Sequence, residues 1–214
     1  MEESATSMGK FKRLVVLGCS HTVGQWLPGW RDWWTTDEAG NLQFHQIYSE
    51  HNWPKVLANK LGITEIYNLA SGGNSNHEIM CRTLGFEFRP DDLVVICWSY
   101  AGRECIYQEA GGIARTMDLL EKLKDTRFYE VHSQFDLEMK SREYVHQTLL
   151  HLEKIGITHR MCKVEDWHSW TTFWPYYEDH AFIKFDIIDY ALDNSHPGIE
   201  SHKLLAEKLY DTLK

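Results

Sequence analysis

The sequence predicts a single α/β domain of three layers, a mostly parallel sheet of about four to five strands with helices on both faces. Three observations carry this expectation. Short runs of apolar, β-branched residues recur along the chain, as in "RLVVLG" (13–18) and "DDLVVICWS" (91–99), and such runs suit strands buried on both faces. Segments of helical length separate these runs, so each helix can serve as the crossover between parallel neighbours. At 214 residues the chain is long enough for one sizeable core, and it shows no internal repeat, low-complexity tract or linker.

Taken in order, residues 1–12 open acidic and polar and are expected to be flexible. "RLVVLG" is the first strand. Residues 25–52 hold four tryptophans, Pro28, Gly29 and Gly40 without a steady period, and read as an insertion or lid. "WPKVLANKLG" (53–62) predicts a helix with Pro54 in its first turn and Gly62 at its C-terminal end. "EIYNLA" (65–70) is a second strand, followed by the turn "SGGNSN" and a helix over about 76–86. "DDLVVICWS" is the third strand and the strongest.

Residues 104–124 read as an interrupted helix, broken at Gly111-Gly112, and 135–156 as a long amphipathic helix ending in Gly156. "ITHRMCKV" (157–164) is a fourth strand, and 165–193 a second aromatic-rich irregular insertion. In the last helix Pro197 is expected at the first position, with Ile199, His202, Ala206, Leu209 and Leu213 on one face.

Composition narrows the function. A formal charge of −9 with no basic run argues against a phosphate-backbone binder, so nucleic acid is not expected as a partner. The start is not a signal peptide and no segment reaches bilayer-spanning length, so no membrane partner is expected. The five cysteines (Cys19, Cys81, Cys97, Cys105, Cys162) are scattered without CxxC spacing, which fits a reducing, cytoplasmic setting. The histidines and acids of "EDWH" (165–168), "EDH" (178–180), Asp186 and Asp189 follow no regular metal motif and read as surface groups; no metal or cofactor is expected. The pairs Asp91-Asp92 and Glu165-Asp166 read as solvated loop charges. Oligomeric state is not set by the sequence.

In open α/β sheets, sites form beyond the carboxyl ends of the strands. Three such ends carry chemistry here: Gly18-Cys19-Ser20, the "ASGGN" of 70–74, and Trp98-Ser99-Tyr100. A fourth polar group, "DNSHP" (193–197), stands where the last loop meets the last helix. Together they supply the parts of acyl transfer: Ser20 as nucleophile, His196 as the base that takes its proton, Asp193 to orient the imidazole, and backbone N–H groups at the glycine turns for an oxyanion. Cys19, next to the nucleophile, is expected to point into the sheet, and His21 to be a surface or hydrogen-bonding histidine. Asp193 and His196 also have a simpler reading, as caps of the final helix.

"GCSHTVG" resembles the first block of the SGNH (GDSL-like) hydrolase family, with Cys19 where the family carries aspartate. "NLASGGNS" (68–75) resembles the second block and "DNSHP" the fifth, in the family's order over most of the chain. The resemblance implies a flavodoxin-like α/β/α fold and hydrolysis of esters, thioesters or O-acetyl groups by Ser20, His196 and Asp193. It makes the amides of Ser20 and Gly73 the oxyanion donors. The family's third block, glycine–x–asparagine–aspartate, is absent; "CWSYAGRE" (97–104) stands there without an asparagine. Ser99 is expected to donate in its place, with Asn74, Trp98, Tyr100 and Arg103 at the substrate. The tryptophan clusters tilt the expected substrate towards an O-acylated carbohydrate, beside a general short-chain ester. A binding module that keeps the fold without turnover, and an acyltransferase using the same triad, are the alternatives.

Overall fold

The computed structural model describes residues 10–36, 42–107, 113–115, 132–164 and 182–214. The chain runs β1 (Arg13–Leu17), α1 (Ser20–Val23), β2 (Arg31–Thr36), β3 (Leu42–Ile47), α2 (Trp53–Leu61), β4 (Glu65–Asn68) and α3 (Asn76–Leu84). It continues through β5 (Asp92–Trp98), β6 (Cys105–Tyr107), β7 (Ile113–Arg115), α4 (Gln134–Lys154), β8 (Thr158–Lys163), β9 (Ile183–Lys184) and α5 (Ile199–Asp211).

Five strands pair in the order β4-β1-β5-β8-β9, all parallel. Counted along the chain, this sheet has the flavodoxin-like order 2-1-3-4-5, whose switch point lies between the first and third strands. Those are β1 and β5, with Leu17 level with Ile96. A ligand crevice is therefore expected where β1 and β5 end.

Alternation along each strand sends neighbouring side chains to opposite faces. Leu14, Val16, Leu93 and Val95 pack with Trp53 and Leu57 of α2 and Leu205 and Leu209 of α5. Val15, Leu17, Val94 and Ile96 pack with Ile79 of α3 and Val145, Leu149 and Leu152 of α4. Both faces are covered, giving the expected three layers.

The helices start where the sequence supplies caps. Asn52 accepts from the Lys55 amide at the head of α2, whose end turns at Gly62 with φ +70°. Ser75 and Glu78 form a reciprocal capping box on α3. Ser133 accepts from the Asp136 amide on α4.

Four expectations change. Asp92 is not a solvated charge. Its carboxylate takes two 2.6 Å bonds from the Arg13 guanidinium, both groups are buried, and the two residues are level on adjacent strands. Asp91 behaves as expected, half-exposed beside Lys12.

The described part of 104–124 is not helical: β6 and β7 form an antiparallel pair. A strand-turn-strand reading of "CIY", Gly111-Gly112 and "IAR" has the same punctuation, and glycine pairs favour turns over helix breaks. The insertion 25–52 contains a second antiparallel pair, β2 with β3, and β9 extends the sheet from within the irregular segment.

Pro197 lies before the helix, since Gly198 is the N-cap; its backbone bridges Tyr190. "EDWH", "EDH" and residues 1–9 lie outside the described residues, as does 116–124. No described helix is long and apolar enough to cross a membrane.

Candidate active site

β1 ends in a tight turn that only glycine fits. A Cβ on Gly18 would stand 2.1 Å from Thr22 Oγ1 and 3.0 Å from the Cys97 carbonyl. Cys19 follows as the extended N-cap of the single-turn helix α1, and it is fully buried, as expected. Ser20 opens the helix with 2% of its surface exposed. Among the described residues its Oγ has no hydrogen-bond partner, His196 included.

His21 is not a surface histidine. It is 4% exposed and meets the rings of Tyr100, Phe185 and His196 edge-on at 5.7, 5.8 and 5.7 Å. Burial, with the nearby charges of Arg103, His196 and His202, pushes its pKa down to about 3. It is a neutral spacer between His196 and Tyr100, and its Nδ1 has no partner among the described residues.

The final loop is built around one carboxylate. Asp193 Oδ1 accepts from the amides of Ser195 (3.2 Å) and His196 (3.1 Å). Its Oδ2 accepts from the Ser195 hydroxyl and, at 2.6 Å, from His196 Nδ1. Burial opposes ionisation of Asp193, but the bonds from Ser195 and His196 outweigh it and hold the carboxyl well below the usual range. An ionised carboxylate only accepts, so Nδ1 carries the proton and Nε2 is left as the basic nitrogen.

Asn194 adopts φ +56° to make this turn, a conformation asparagine tolerates better than most residues. Asp193 does not cap α5. Asp189 does, accepting from the amides of Glu200 (3.0 Å) and Ser201 (2.8 Å). The loop is closed by Ala191 N–H donating to the His196 carbonyl at 2.8 Å.

The second glycine turn is tied to the first. Asn74 N–H donates to the Ser71 carbonyl, with Gly73 at φ +76° in the third position, where type II turns require φ > 0. Asn74 Nδ2 donates to the Gly18 carbonyl at 3.0 Å. Asn74, expected at the substrate, is fully buried and braces the turn at Gly18. The amides of Ser20 and Gly73 donate to no acceptor among the described residues.

At the end of β5, Asn76 grips the Ser99 backbone from both sides. Its Oδ1 accepts from the Ser99 amide at 2.7 Å and its Nδ2 donates to the Ser99 carbonyl at 3.2 Å. Sequence reading missed this residue, because a polar side chain just inside a helix start carries no signal of a distant partner. It also missed Ser195, although Asp-x-Ser is a turn pattern in which the two side chains meet.

Ser99 is fully buried, and its Oγ accepts from Arg103 Nη1 at 3.2 Å. The Arg103 guanidinium also lies over the Tyr100 ring at 4.7 Å. Trp98, expected at the substrate, is in the core with its indole N–H on Met161 Sδ. Alternation explains it: Trp98 shares a face with Val94 and Ile96. No cluster of three or more metal-ligating side chains occurs among the described residues.

No family model matches the sequence, and no curated protein matches it either. Solved structures do match. A Desulfitobacterium hafniense protein described as lipolytic and of the G-D-S-L family aligns at 15% identity and TM-score 0.53, over 94% of this chain and 98% of its own. A carbohydrate esterase family 2 enzyme with a carbohydrate-binding domain, from Corynascus thermopiles, aligns at 13% and TM-score 0.56, over 94% of this chain and 65% of its own. The esterase EstA of Pseudoalteromonas sp., in a form inhibited by monoethylphosphonate, aligns at 11% and TM-score 0.51, over 94% and 96%. The chain has the three-layer fold of these SGNH/GDSL-like hydrolases.

Proposed function

We propose that the protein is a serine-dependent ester hydrolase of the SGNH type, acting on an O-acylated carbohydrate or another short-chain ester. The observation that carries this reading is the 2.6 Å bond from His196 Nδ1 to the ionised Asp193, on a loop whose histidine ring meets the residue next to Ser20. The fold likeness to a carbohydrate esterase supports the substrate class.

In this reading Ser20 Oγ attacks the ester carbonyl as His196 Nε2 takes its proton. Catalytic hydrogen bonds are often long in ligand-free sites and tighten with substrate, and the Ser20–His196 bond forms at that point. The tetrahedral oxyanion is held by the amides of Ser20 and Gly73. The Ser99 hydroxyl, whose lone pair Arg103 occupies, gives its proton as the third bond in place of the missing asparagine. His196 then protonates the departing alcohol, and water repeats the sequence on the acyl-enzyme.

The test is 4-nitrophenyl acetate turnover. Ser20→Ala is expected to lose about 10³-fold or more in kcat; a rate equal to wild type removes Ser20 from the mechanism. The near-complete burial of Ser20 favours a second reading, a binding module on the same fold. Failure of a fluorophosphonate to label the folded protein would support it. An acyltransferase differs only in the acceptor, and added alcohols that divert the acyl group from water identify one.

A further inference from the structure

The turn after β5 holds a cation with no group of opposite charge to meet it among the described residues. Arg103 is half-buried, and among the described residues its side chain has one hydrogen-bond acceptor, Ser99 Oγ, and no carboxylate within ion-pair distance. The chain carries 31 acidic and 22 basic residues, so acids to pair with are plentiful. Other arginines find partners: Arg13 holds Asp92, Arg89 faces Glu65, and Arg160 binds the Thr212 carbonyl.

Arg103 is also held in place rather than left to wander. Ser99 fixes one end of its fork, the Tyr100 face supports the plane, and its own amide closes a turn onto the Tyr100 carbonyl. Ser99 is the first residue beyond β5, at the switch point beside the end of β1. The rings of Tyr100, His21 and His196 run in contact from Arg103 to the base.

We propose that Arg103 is the receptor for an anionic group, a carboxylate or phosphate, carried by the ester that the Ser20 site hydrolyses. The inference rests on the esterase reading for the word "ester" and on the turn alone for the anion. A guanidinium presents parallel N–H bonds that match a carboxylate or phosphate two at a time, and a half-buried one has lost water that would otherwise satisfy them. The neutral His21 adds no competing positive charge.

Two matched pairs of esters locate the charge. Mono-4-nitrophenyl glutarate against 4-nitrophenyl pentanoate places a carboxylate on the acyl side, and 4-acetoxybenzoate against 4-acetoxybenzamide places it on the alcohol. Inorganic phosphate, as an inhibitor of 4-nitrophenyl acetate turnover, reports a phosphate site. Wild type is expected to prefer one anionic ester by about tenfold or more in kcat/KM, or to be inhibited by phosphate. Arg103→Gln brings the ratio near one or relieves the inhibition, and Arg103→Lys keeps part of the effect. The same ratios and the same phosphate inhibition in wild type and Arg103→Gln overturn the proposal. Turnover that survives Ser20→Ala sinks the esterase reading instead and leaves these ratios interpretable. If no ester is turned over, calorimetric titration with monomethyl glutarate and with phosphate decides. Binding lost in Arg103→Gln upholds the anion site, whereas equal or absent binding rejects it.

Discussion

The loop that carries His196 and the turn that carries Arg103 end at the same rings, yet their hydrogen bonding differs in kind. Asp193 collects four donors from within three residues, so its charge is satisfied before any ligand arrives. Arg103 has several N–H groups and a single acceptor among the described residues. A saturated carboxylate fixes a tautomer and has nothing left for a substrate. An undersupplied guanidinium is suited to a partner from outside. In the proposed reading the two regions divide the work that a site needs, one orienting the base and the other receiving a ligand.

Breaking the saturated side should cost most. Asp193→Asn keeps the turn but can present an amide N–H to Nδ1, which favours the wrong tautomer; kcat for 4-nitrophenyl acetate is expected to fall about 10³- to 10⁴-fold, and a loss under tenfold would mean the pair is structural. The ring between the two regions gives a smaller effect. His21 resists protonation in the fold, with its pKa moved from 6.5 to about 3, while an unfolded chain titrates it normally. Below about pH 6.5 the unfolded state therefore binds the extra proton, and stability falls as pH drops towards 3. Urea midpoints between pH 7.5 and 4.5 should decline less steeply in His21→Phe than in wild type, by about 2–3 kcal/mol of the total change. Parallel curves would place His21 in water. His202, also moved to about 3 by burial, and His77, lowered by burial too, contribute to the slope that remains. The Arg103 substitutions probe the unsaturated side, where the expected change is the smallest, about tenfold in a ratio.

The middle of the sheet was legible in the sequence because β1 and β5 are largely apolar runs, as strands buried on both faces commonly are. The bounds of α2 were legible through Pro54 and Gly62, whereas its cap Asn52 and the cap Ser75 of α3 were not named. What could not be read depended on distant partners. Asp92 looks like a loop acid until Arg13 is placed beside it. Asp189 caps α5 from ten residues before its first turn, which freed Asp193 for His196 against the simpler capping reading. β9 pairs through two residues only, too short to leave a periodic signal. At the site, Asp193 and His196 were readable because their spacing lets them meet within one turn. The burial of His21 was not, since it follows from Phe185 and Tyr100 arriving from beyond the ends of β9 and β5.

If Ser20 is a nucleophile served by His196, mass spectrometry of the folded protein after fluorophosphonate treatment, in wild type and in His196→Ala, will show it. One adduct is expected, on the peptide containing Ser20, in wild type and none in the variant. No adduct on folded wild type, or an adduct on Ser20 that forms equally fast without His196, would contradict it.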